Sequence, residues 1–271
     1  MNGAVIDFHT HAFADGLAAR ALASLSQEGN LRPVGDGTAA GVVASMDACG
    51  IGLSVVCPIA TRPGQFEGIC AWSAGLASAS GGRLLGLASI HPRDPEALAR
   101  VDAAVAMGFR GVKLHPFYQD FFVDEAELFP FYRRLAERGL FVVFHNGYDI
   151  GFVSDRRAGA ERMARVLDAV PGLTVVTTHF GGWLDWMEAR RVLAGREVYI
   201  ETSFSVTEMS REELRALVEA HRPDRLLFGT DWPWKSPAED LAVWREVCAD
   251  RPDVLQAVLH DNAARLLGLG A

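Results

Sequence analysis

The chain has 271 residues, 49% of them hydrophobic, and a formal net charge of −8. That apolar supply suits one large domain, residues 1–271, with a full core, and an acidic balance without runs of like charge argues against nucleic acid or an anionic membrane as partner. Four scattered cysteines without CxxC pairing, no apolar run of transmembrane length and no signal-like leader point to a cytoplasmic protein with a small-molecule substrate, and leave a homo-oligomer open.

Short apolar runs rich in Val, Ile, Leu and Phe recur along the chain, as buried parallel strands do. In order they are Ala4–His9, Leu53–Pro58, Leu84–Ile90, Gly111–His115, Phe141–His145, Thr174–His179, Val198–Glu201 and Arg225–Thr230. Helical patterns lie between them. Leu17–Leu25 is helix-like and falls in the long connection 12–40; a second long connection covers 59–82. Asp94 and Pro95 read as N-cap and first turn of a helix with Leu98, Val101 and Val105 on one face. Pro130 opens a helix that Gly139 closes. Ser210 with Glu213, and Ser236 with Pro237 and Glu239, read as capping boxes, and Val254–Leu267 as a final helix. Eight strands alternating with helices predict an α/β fold, a (β/α)8 TIM barrel with long loops after strands 1 and 2. No GxGxxG follows the first strand, which argues against a dinucleotide site.

The first strand ends in His9-Thr10-His11. Side chains alternate with period two, so the two imidazoles share a face and can grip one metal ion, or else sit hydrogen-bonded on a half-buried strand. Asp7 has the same parity and is placed to orient a ligand. Of eight histidines, six (His9, His11, His91, His115, His145 and His179) fall at predicted C-terminal strand ends, and Asp231 ends the last strand. In a barrel these ends converge on one mouth. Imidazole and carboxylate donors suit Zn²⁺, with Mn²⁺, Fe²⁺ or Co²⁺ as alternatives. Only Lys113 and Lys235 are lysines among 26 basic residues, which singles out the inward Lys113 for a task arginine cannot perform.

The motifs Asp7-Phe8-His9-Thr10-His11, Gly111-Val112-Lys113-Leu114-His115-Pro116, Phe144-His145-Asn146-Gly147, Thr178-His179-Phe180-Gly181-Gly182 and Phe228-Gly229-Thr230-Asp231-Trp232-Pro233 occur in this order. With them the chain resembles the amidohydrolase superfamily, in the amidohydrolase-related branch that includes aminocarboxymuconate-semialdehyde decarboxylase-like enzymes. The resemblance implies one divalent metal held by His9, His11, His145 and Asp231, with His179 beside it as substrate binder or proton donor. Lys113 is expected either to be carboxylated and bridge a second metal, with His179 near it, or to bind a substrate carboxylate, or to pair with Asp231, Glu201 or Asp7. His115 is expected to contact substrate, orient Lys113 or bind metal. Trp232 is expected in the substrate-binding wall, where the aromatic load of the mouth would suit a planar or apolar acid.

The expected activity is hydrolysis of a C–N or C–O bond (amide, lactone or ester) by a metal-activated water, with Asp231 and His179 moving protons. Non-oxidative decarboxylation of a small unsaturated or aromatic carboxylate is the alternative on the same residues. A non-catalytic binding barrel is disfavoured because no ligand position of the motifs is missing.

Overall fold

The computed structural model describes residues 3–152 and 155–269. The apolar stretch at the start forms β1 (Val5–Thr10), buried along its whole length. The chain then makes α1 (Asp15–Gly29) and α2 (Ala39–Cys49) before β2 (Ile51–Val56), which pairs parallel to β1. After α3 (Phe66–Ala79), the stretch expected as one strand over 84–90 forms two segments. β3 (Leu84–Gly86) pairs with β2, whereas β4 (Ala88–Ser89) pairs with β5 (Gly111–Leu114). Leu87 lies at the switch, its N–H still donating to Val56 O at 3.0 Å. Tilted barrel strands are staggered, so one strand meets its two neighbours along different parts of its length.

The remaining strands follow in order: β6 (Phe141–Phe144), β7 (Val175–Thr177), β8 (Tyr199–Glu201) and β9 (Leu226–Leu227), each parallel to the one before. Backbone bonds then join the last strand to the first: Phe8 N donates to Phe228 O at 2.8 Å, Asp231 N to His9 O at 2.8 Å, and His11 N to Trp232 O at 2.6 Å. These bonds close the ring into the expected (β/α)8 TIM barrel. Ile6, Phe8, Val55, Phe141, Val143 and Leu227 belong to an inner apolar cluster, and a larger cluster fills the space under the helices.

The helices α4 (Ala97–Ala106), α5 (Phe129–Glu137), α6 (Ala160–Ala169), α7 (Trp186–Leu193), α8 (Arg211–Ala220) and α9 (Pro237–Val247) separate the strands. Ser210 and Glu213 form the expected capping box of α8. Three local expectations change. Asp94 caps the turn that leads into α4 rather than the helix itself: its carboxylate accepts from the Glu96 and Gly64 amides and pairs with Arg100, and the helix begins at Ala97; Leu98 stays 49% exposed. Ser236 precedes α9 without a side-chain cap bond. The final helix is interrupted: α10 (Pro252–Gln256) passes through a π-helical stretch at Ala257–Asp261 into α11 (Asn262–Leu267). Inside that stretch the Val258 carbonyl accepts from Phe228 N at 3.1 Å, so the irregular turn is tied to the last strand. No helix among the described residues is long and apolar enough to cross a membrane.

Candidate active site

The polar strand ends meet at the C-terminal mouth. His9 and His11 face the same point, their Nε2 atoms 3.2 Å apart. Asp231 Oδ1 lies 3.0 Å from His11 Nε2 and 3.5 Å from His9 Nε2. No aligned hydrogen-bond donor reaches that buried oxygen among the described residues. Metal–ligand distances of about 2.0–2.2 Å place neighbouring donors about 3.0–3.5 Å apart. The three atoms therefore fit one small divalent cation.

His9 is oriented from behind. Its Nδ1 lies 2.9 Å from Glu201 Oε2 and 3.1 Å from Ser203 Oγ, so the ring proton sits on Nδ1 and Nε2 keeps its lone pair. Glu201 in turn accepts from Ser203 N at 2.5 Å and from Ser203 Oγ at 2.9 Å. Burial still pushes the Glu201 carboxyl well above its ordinary range. Gly229 makes room for this contact. A Cβ there would overlap Glu201 Oε1 and stand 2.9 Å from His9 Cβ.

Asp7 works through backbone. It accepts from His9 N at 3.2 Å, Thr230 N at 3.1 Å and Thr230 Oγ1 at 2.6 Å, and so ties the first strand to the last next to the site. Burial raises its pKa to about 7 against those bonds. Asp231 is the opposite case: burial opposes its charge, but the His9 and His11 rings hold the carboxyl well below the usual carboxylate range. Asp231 and His179 both have positive φ, 63° and 58°, backbone settings that cluster at functional sites.

A second group stands alongside. His145 Nδ1 is 3.0 Å from His179 Nε2, and His179 Nδ1 lies 3.1 Å from Ser203 Oγ. His145 Nε2 faces Tyr148 O at 3.0 Å and Asp149 Oδ2 at 3.5 Å. His115 stacks on His145 with ring centroids 4.2 Å apart and presents Nε2 to the same Asp149 oxygen at 3.5 Å. Donor atoms of His9, His11 and Asp231 thus form one group and those of His115, His145 and Asp149 another, while His9, His179 and Glu201 form a third that shares His9 with the first. Burial lowers the pKa of His9, His115, His145 and His179, which favours the neutral ring at these four positions.

Lys113 comes up from below. Its side chain is fully buried and its Nζ lies 3.3 Å from His9 Nε2; burial lowers its pKa. Trp232 is buried against Gly35, in the loop before α2, and Gly41, in the first turn of that helix, and it is Trp234 that lines the cavity. His91 caps a turn, its Nδ1 accepting from Arg93 N at 3.2 Å. Sequence reasoning passed over Asp149, four residues after His145, and the bridging position of Ser203 between His9 and His179. The spacing of His145 and Asp149 was the one signal available for the first; the second depends on residues 24 and 194 positions apart.

The floor opens into a cavity of about 630 Å³. The amidohydrolase family model matches residues 6–269. The chain belongs to the amidohydrolase family. No curated protein matches it in sequence. Among solved structures, this amidohydrolase is similar to an uncharacterized TIM-barrel protein from Bordetella bronchiseptica, with 24% identity, a TM-score of 0.77 and coverage of 97% of this chain and 98% of that one. A 2-pyrone-4,6-dicarboxylic acid hydrolase from Pseudomonas putida, so named provisionally, has 20% identity, a TM-score of 0.68 and full coverage of both chains (100% and 100%). A 5-carboxyvanillate decarboxylase from Novosphingobium aromaticivorans, solved with manganese, has 14% identity, a TM-score of 0.72 and coverage of 98% and 97%. These likenesses establish the fold; hydrolases and decarboxylases both occur among them.

Proposed function

We propose that this amidohydrolase cleaves a C–N or C–O bond next to a carbonyl in a small molecule, with one divalent cation held by His9, His11 and Asp231. The observation that carries the reading is the convergence of two imidazole nitrogens and one carboxylate oxygen without an aligned hydrogen-bond donor among the described residues, 3.0–3.5 Å apart, at a cavity floor that His11 and Asp231 line and His9 backs from beneath. Zn²⁺ or Mn²⁺ in that position supplies a Lewis acid and a water that ionises near neutral pH.

The residues divide the remaining work. Glu201 fixes the His9 tautomer through Nδ1. Asp231, ionised, accepts the proton of the attacking water as oxygen bonds to the carbonyl carbon. The same carboxyl then protonates the departing nitrogen or oxygen as the C–X bond breaks. His145 and His179, bonded to one another, supply the next ring nitrogens of the floor and hold the carbonyl side of the substrate. His115 and Lys113 act as substrate and floor-orienting groups in this reading.

Decarboxylation has one observation in its favour. Asp149 faces His115 and His145 at 3.5 Å each, an acid–base pair set apart from the cation-binding group. From it a proton could add to the carbon bearing a carboxylate, and the C–C bond would break to release CO₂. The experiment that separates the two is a panel of amides, esters, lactones and aromatic carboxylates, followed for acid release and for CO₂ in parallel. Cleavage without CO₂ supports hydrolysis. CO₂ release with the decarboxylated acid as co-product, and no cleavage of any amide, ester or lactone, overturns it.

A further inference from the structure

The cavity has a polar floor and a mostly apolar upper wall, to which Thr61 and Gln65 add a hydroxyl and an amide that are bonded to each other at 3.3 Å. Two carboxylates, Asp149 and Asp231, face it, and no lysine or arginine lines it among the described residues. Lys113 is sealed beneath the floor against His9 and does not reach the cavity wall. The upper wall comes from the two long connections: Leu17 and Leu25 of α1, Ile69 and Trp72 of α3. Leu17 and Leu25 are eight residues apart on one helix face, about 12 Å along the axis. Leu17 is 48% exposed although it faces the cavity, so an apolar occupant would remove leucine surface from water. At Gly68, also on this wall, a Cβ would meet nothing within 4 Å, so the glycine leaves the space open.

We propose that this annex selects substrates with an uncharged, apolar acyl- or alkyl-sized body, whose single polar or anionic head meets the floor. The inference rests on the reading of His9, His11 and Asp231 as a cation-binding floor. A second carboxylate on the substrate would lie against apolar carbon with no cation to pair it. Each buried methylene, in contrast, strengthens binding about fourfold.

The test is calorimetric titration of the Zn²⁺-loaded protein with linear alkanoates from butanoate to dodecanoate, and with α,ω-dicarboxylates of the same lengths. Matching primary alkanols are titrated into metal-free protein. The expected result is a Kd falling about fourfold per methylene until the annex is full, with dicarboxylates on the order of 100-fold weaker. Gly68→Leu should stop the gain at shorter chains, and Leu17→Arg should restore dicarboxylate binding. A flat length series in both arms, with zinc bound by elemental analysis, overturns the annex and leaves the floor intact. Equal or tighter dicarboxylate binding also overturns it. If alkanols show the length series while alkanoates gain nothing from zinc, the annex stands and the floor reading fails.

Discussion

Glu201 Oε2 stands 2.9 Å behind His9 Nδ1, on the side of the ring away from His11 and Asp231. The two residues are 192 positions apart and meet because β8 and β1 both end at the mouth. When ionised, Glu201 can only accept, and it then puts the His9 proton on Nδ1. Glu201→Gln, which can present an N–H instead, should weaken divalent-metal affinity about 10–100-fold. Metal titration with a competing chelator reads this directly; an unchanged affinity would remove Glu201 from the account.

Asp231→Asn keeps the volume of the side chain and loses its charge. Turnover should fall by about 10²–10⁴-fold, with the far-UV spectrum unchanged. Normal activity at matched metal content would contradict the role of Asp231 as proton acceptor.

Gly229→Ala tests the packing that brings Glu201 to His9. The added methyl has no free space, since it would meet Glu201 Oε1 and His9 Cβ. Overpacking should cost about 1–3 kcal/mol in urea unfolding and should also lower metal affinity, because the same two side chains must shift. A fully stable variant with native affinity would show that the pocket relaxes.

Asp240, in α9, gives a pH-dependent prediction away from the floor. It is buried, its Oδ2 has no hydrogen-bond partner among the described residues, and burial raises its pKa well above the ordinary value. With rising pH the unfolded carboxyl ionises first, so the folded state binds more protons and stability falls from about pH 4 upward until the folded group ionises. Asp240→Asn removes that loss. It should be more stable than the parent in urea unfolding at pH 8, and the difference should shrink towards pH 4. A constant difference across pH would place the effect elsewhere.

Much of the site was legible because it follows strand parity and strand ends. His9, His11, His145, His179 and Asp231 were visible as the polar residues that close apolar runs, and the capping box of α8 as a local pattern. What escaped depends on long-range geometry. The break at Leu87 arises from barrel stagger, and the π-helical turn at Ala257–Asp261 from a bond between Val258 O and Phe228 N. Asp7 shares parity with His9, yet its carboxylate turns to Thr230, because β1 is irregular between Asp7 and Thr10 and the last strand offers an N–H and a hydroxyl there. Trp232 and Trp234 look interchangeable in sequence; Gly35, in the loop before α2, and Gly41, in the first turn of α2, make room for the first, and the second is left on the cavity wall.

The central claim is that His9, His11 and Asp231 together hold a divalent cation on which turnover depends. Elemental analysis of the purified protein, before and after exhaustive chelation and re-addition of Zn²⁺ or Mn²⁺, tests it most directly when paired with activity. The account predicts about one equivalent of metal, loss of metal and turnover together, recovery of both on re-addition, and failure of His11→Ala to recover either. Full turnover in a protein stripped of metal would contradict it.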